Sequence, residues 1–155
     1  MTRLSSALGT TSQLRVKQFV FGGHTFKVRV PLVSESDAIH SRVMNPDSEA
    51  VNKIYAELIQ GLNQFKGVES EELIFAEADV IVAGRSMKEA AKNKAMMETR
   101  ITEMVRLLQA EDAANSLHDI TYAEIEQEWP LNVQRELVEK IAEVISPVYR
   151  EIRGN

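Results

Sequence analysis

The sequence predicts an α+β fold, mostly helical, with an N-terminal β-hairpin, and three observations carry that expectation. Two β-rich runs, 14–21 and 24–30, flank Gly22-Gly23, the two-residue glycine turn of a tight hairpin. From residue 34 onward, apolar side chains recur at spacings of three and four, the period of a helix with one buried face. Two Ser/Thr-x-x-Glu strings, at Ser86 and Thr121, mark helix starts. With 155 residues, 44% of them hydrophobic and 26% charged, the chain has the length and composition to bury a core as a single domain, 1–155.

Residues 1–13 are mostly polar and small and are expected to be flexible. In the hairpin, a two-residue turn sets Phe19 opposite Phe26 and Phe21 opposite His24, which collects aromatic area on the side that also carries Val28 and Val30. That side is the expected core face. The other side holds Gln18 and Lys27, with Val16 opposite Arg29, and is mixed enough to stay wet. Pro31 ends the second strand, because it has no N–H to give to a ladder.

Ser34 and Asp37 are candidate caps for a short helix reaching about Met44. Asn45 then caps a second helix with Pro46 in its first turn, and Val51, Ile54, Tyr55, Leu58, Ile59, Leu62 and Phe65 form its apolar stripe before Gly67 closes it. The acidic stretch 69–77 fits another turn or two of helix around Leu73 and Ile74, and 79–84 reads as a short strand. The capping box of Ser86 and Glu89 opens a helix expected to reach about Leu108, with Ala90, Met97, Ile101, Met104, Val105 and Leu108 as its apolar positions. Thr121 and Glu124 start a short helix that Trp129-Pro130 interrupts. The last helix, 131–145, carries Leu137, Val138, Ile141, Val144 and Ile145 on one face and stops at Ser146-Pro147, leaving 148–155 as a frayed tail.

Composition narrows the classes of function. There is no cysteine, so disulfides and thiolate metal sites are out and a reducing compartment fits. The first twelve residues lack the apolar stretch of a signal peptide, and no run approaches the roughly eighteen apolar residues of a membrane span. Of the 18 Lys/Arg and 23 Asp/Glu, residues 1–31 hold five cations (Arg3, Arg15, Lys17, Lys27, Arg29) and no acid, so the remainder sums to −10. The basic end is either a contact for acidic surfaces, a second copy among them, or a solvated hairpin face.

Catalytic chemistry finds few converging groups. His24, His40 and His118 fall in a hairpin, a helix and a loop, with no G-x-S-x-G string nearby. The acidic clusters at 69–72 and 124–128 lack the spaced oxygens and turn glycine of a calcium loop. Gly22-Gly23 lies between strands, and Gly84-Arg85-Ser86 has no second glycine or following lysine, so no phosphate loop is present. Lys88, Lys92, Lys94, Arg100 and Arg106 make the Ser86 helix basic on one side, but Glu89, Glu98 and Glu103 offset much of that charge, which disfavours nucleic acid. No enzyme, cofactor or metal site is expected.

Protein contact is better served. Met87, Met96, Met97 and Met104 lie on one helix, and methionine adapts to varied apolar partners as readily as it fills a core. Met97 and Met104 fall in the apolar stripe and suit core filling, while Met87 and Met96 suit a partner. With Phe19, Phe21 and Phe26 of the hairpin, these four are the candidate protein-binding residues.

The hairpin Gln18-Phe-Val-Phe-Gly-Gly-His-Thr-Phe-Lys-Val-Arg-Val-Pro31, the string Gly84-Arg-Ser-Met-Lys-Glu-Ala-Ala91 and the string Ile120-Thr-Tyr-Ala-Glu-Ile125 together resemble the tail assembly chaperones of long-tailed siphophages. The likeness spans most of the chain and extends to the terminal amphipathic helix ending in Ile145-Ser-Pro147. It implies a non-catalytic protein of the infected host's cytoplasm that coats the tape-measure protein, helps recruit tail-tube subunits, forms homo-oligomers and is absent from the mature virion. It also implies a second, longer form made by a −1 ribosomal frameshift, with which the ending Arg153-Gly154-Asn155 is compatible. A permanent tail or connector subunit of the virion is the alternative from a different class.

Overall fold

The computed structural model describes residues 3–9, 12–65, 67, 72–76 and 78–146. In chain order the elements are α1 (Arg3–Leu8), β1 (Val16–Phe21), β2 (His24–Arg29), α2 (Val33–Met44), α3 (Ser48–Gln60), β3 (Leu73–Phe75), β4 (Val80–Val82), β5 (Arg85–Ser86), α4 (Met87–Arg106), β6 (Leu108–Gln109), α5 (Tyr122–Glu128) and α6 (Leu131–Ile145). The fold is mixed and mostly helical, with the N-terminal hairpin that the glycine turn predicts. Two compact units share the chain: Met1–Ile39 with Ile101–Asn155, and His40–Arg100.

In the first unit, β1 pairs antiparallel with β2 in the expected register, Phe19 opposite Phe26 and Phe21 opposite His24. Gly22 and Gly23 both take positive φ, 59° and 78°, which makes the turn a mirror-image type that matches strand twist and that residues with a Cβ enter at a cost. Helix α6 packs on both strands. The face it covers carries Val28, fully buried, and half-buried Phe19, Phe21 and Phe26, whereas Gln18, Val20, Thr25 and Lys27 on the opposite face are exposed. Val105, Ile125, Leu137 and Ile141 complete the interior of this unit, each buried side chain contributing on the order of 1.5–3 kcal/mol by area.

A third strand, β6, extends the sheet in the order β1-β2-β6. This corrects the expected end of the preceding helix: α4 stops at Arg106, not near Leu108, because the Arg29 N–H donates to Leu107 O at 2.9 Å and Leu108 pairs with Val28. Ladder bonds and burial of Leu107 and Leu108 outweigh one more half-turn of helix. Beyond it, Thr121 makes the full capping box with Glu124, and Trp129-Pro130 separates α5 from α6 as expected. A buried Gln134 ties the two helices together, accepting from the Tyr122 hydroxyl at 2.9 Å and donating to Trp129 O at 2.8 Å.

The second unit is built around Ile54 of α3 and Ala91 and Ala95 of α4, with half-buried Val51, Tyr55 and Leu58 against them. Alanines on α4 let the helices approach closely where larger side chains would hold them apart. Here the expected helix around Leu73 and Ile74 is instead strand β3, which pairs with β4 in a β3-β4-β5 meander. Residues 69–71 and 77 of that stretch, and the tail 148–155, lie outside the described residues.

The capping expectations for the first two helices also change. Helix α2 begins at Val33, and Glu35, rather than Ser34 or Asp37, accepts from the Leu32 N–H, at 3.4 Å. Asn45 does not cap α3, which starts after Asp47; its amide donates back to Ser41 O at 2.9 Å, closing the end of α2. An asparagine has both a donor and an acceptor to offer, and the free carbonyls of the preceding helix claimed the donor. The segment 1–13, expected to be flexible, contains the short helix α1 and the first two residues of the 3-10 turn Ser12–Arg15.

Candidate functional site

The open end of the hairpin is fixed by an ion network. The Glu35 carboxylate spans two guanidiniums, Arg15 Nη2 at 2.8 Å and Arg29 Nη1 at 2.7 Å, while Arg15 Nε donates to Val30 O at 3.3 Å. The Arg29 hydrogen bond leads in holding the Glu35 carboxyl below its ordinary range, against the opposing effect of burial. These groups are about a third exposed, so the network adds little to stability. It does set geometry, because it holds the start of α2 against Arg15, just before β1, and Arg29, the last residue of β2.

Around that network the protein exposes aliphatic side chains. Leu14 is 80% exposed, Leu32 53% and Val33 79%. The Val30 N–H bonds Arg15 O, so Leu14 and Leu32 flank the same hairpin end. Leu4 and Leu8, one helical turn apart on α1, are 67% and 71% exposed, and α1 has no buried residue. Scattered exposed leucines are ordinary, but with Val20 six large aliphatics are exposed among the described residues of the first 33, a concentration of apolar surface at this end of the chain.

Strand β1 adds a second feature to this surface. It is an edge of the sheet, bonded to β2 alone among the described residues. With the Val30 N–H bonding Arg15 O, alternation places the backbone groups of Val16, Gln18 and Val20 on the outer side. Val20 is 64% exposed on the uncovered face. Such an edge accepts an extended segment by strand addition.

The sequence-predicted binding residues occupy different places. Phe19 stacks on Phe26 at 5.4 Å between ring centroids, Phe21 lies at 6.4 Å from Phe26, and His24 meets it edge-on at 4.7 Å. All three phenylalanines are half-buried and brace the hairpin on its α6 side. Met87, Met96, Met97 and Met104 are half-buried too, the first three in the second unit and Met104 in the first. Met96 lines a cavity of about 280 Å³ with Met44, Lys92 and Glu89, and Met44 is exposed. Leu4, Leu8, Leu14, Leu32 and Val33 were missed because single leucines outside a periodic stripe carry no pattern.

In the second unit, Asp79 organises the start of α4. Its carboxylate accepts from the Val80 N–H at 2.7 Å, from the Lys88 N–H at 3.1 Å and from the Ser86 hydroxyl, which in turn accepts from the Glu89 N–H at 3.3 Å. The Ser86 bond is the main reason its carboxyl lies below the usual range. Burial and the nearby Asp79 charge raise the Tyr55 phenol. These groups are a structural lock, since a carboxylate at a helix N-terminus satisfies free amide donors. Among the described residues no group of three or more His, Asp or Glu is placed to hold a metal ion, and no helix is long and apolar enough to cross a membrane. No protein-family model, curated protein or solved structure matches this chain.

Proposed function

We propose that this chain is a non-catalytic assembly chaperone of the siphophage tail kind, working in the host cytoplasm by covering the apolar stripe of a tape-measure protein and helping to bring tail-tube subunits to it. The observation that carries the reading is the exposed aliphatic side chains Leu14, Leu32 and Val33 at the end of the hairpin whose strand β1 has an open edge, with Leu4 and Leu8 exposed on α1. A long helical client aggregates unless its apolar face is covered, and a small subunit that presents its own apolar surface can cover it reversibly. The same surface supports homo-oligomers, and with them a frameshift-extended form of the chain.

Co-expression with the tape-measure protein of the same genome tests the reading. The expected result is a soluble client that co-purifies with this protein and is lost when Leu14, Leu32 and Val33 are replaced together by serine. A client that stays insoluble, or that is equally soluble without this protein, overturns it. Mass spectrometry of purified particles adds a second check: stoichiometric retention in mature virions would favour a permanent tail or connector subunit.

A further inference from the structure

We propose that a cavity beside strand β6 is an oxyanion site, taking a carboxylate or a phosphate group. The cavity measures about 340 Å³ and is lined by Arg29, Arg106, Ser116 and His118, with Leu108 and Gln109 of β6 as its strand wall. Two guanidiniums and an imidazole in one cavity run against a net charge of −5 for the chain. Each of these three side chains has a bond that leaves other nitrogens over. Arg106 Nε donates to Ile120 O at 2.9 Å, and Arg29 gives Nη1 to Glu35. His118 Nδ1 lies 2.8 Å from the Ser116 hydroxyl, which leaves Nε2 as the ring nitrogen for a ligand.

Local charge favours an anion. Arg15 and Arg29 share the single carboxylate of Glu35, so that trio keeps one net positive charge. The Arg106 guanidinium is paired with the Glu103 carboxylate at 4.0 Å, so the positive excess beside the cavity comes from the Arg15, Arg29 and Glu35 trio. The Leu107 carbonyl is engaged by the Arg29 N–H, so alternation turns the backbone groups of Leu108 away from β2. Planar guanidinium forks match the oxygens of carboxylate and phosphate, and the cavity volume lies within the range of small-ligand sites.

The test is titration of the full-length protein at low ionic strength with inorganic phosphate and, separately, with glutarate, followed by amide NMR shifts and checked against chloride at matched ionic strength. Saturable shifts confined to residues 106–110 and 116–120 support the site. A response to phosphate alone assigns phosphate, and one to glutarate alone assigns carboxylate. His118→Ala and Arg29→Gln should each weaken binding about tenfold. Arg29→Gln leaves Glu35 its bond to Arg15, and unchanged amide shifts in α6 verify the fold. No saturable shift with either ion, or unaltered affinity in the double variant, overturns the proposal.

Discussion

Replacing Leu14, Leu32 and Val33 together by serine separates surface made for a partner from surface made for folding. The three side chains are 80%, 53% and 79% exposed, so little of their area was removed from water when the chain folded. Full burial of such a side chain is worth about 1.5–3 kcal/mol, and scaling by those exposures leaves roughly 1–2.5 kcal/mol at each position for a partner to gain. An interface covering all three would lose on the order of 3–6 kcal/mol, a ceiling because the cost of ordering the interface is not counted. That corresponds to roughly a hundred- to ten-thousand-fold in affinity. Folding stability should change little, by about 0.5 kcal/mol or less per site. Sedimentation equilibrium and co-purification with the tape-measure protein read the association, and urea denaturation reads the fold. Unchanged association by a folded triple variant would refute the argument, and so would a stability loss of several kcal/mol, which would make these side chains part of the core.

Ile141→Ala, at a fully buried position of α6, should destabilise the protein by about 2–5 kcal/mol in urea denaturation, through lost burial and the cavity left behind. Thr121→Ala removes the acceptor for the Glu124 N–H at 3.4 Å and should cost about 1 kcal/mol, read as a lower denaturation midpoint. Glu35 has a depressed folded pKa, so its contribution is present above the unfolded value of about 4.3 and is lost as pH falls through the folded one. Glu35→Gln should therefore flatten the acid side of the stability-versus-pH curve below about pH 4.5; an identical acid limb in the variant would refute the linkage.

Local chemistry alone settled the hairpin, the capping box at Thr121, the break at Trp129-Pro130 and the buried stripe of α6, because each rests on residues close in sequence. Gly22-Gly23 admits positive φ at both positions, and that fixes a register in which Phe19 meets Phe26. Thr121 and Glu124 can satisfy each other's backbone donors without any distant partner.

Tertiary structure decided what depended on a distant partner. Leu73-Ile74-Phe75 is a strand because Val80-Ile81-Val82 lies across from it; the next pairing, of β4 with β5, is made through a turn at Ala83-Gly84 in which Ala83 itself takes φ 50°, and only one of those two residues signals a turn. Leu107 and Leu108 leave the helix because β2 offers a ladder, in which the Arg29 N–H bonds Leu107 O. Arg29, Arg106 and His118, far apart in the chain, share a cavity only through the strand that sequence periodicity did not reveal. The exposed leucines follow the same logic: propensity states that a side chain is apolar, and only the packed fold decides whether anything covers it.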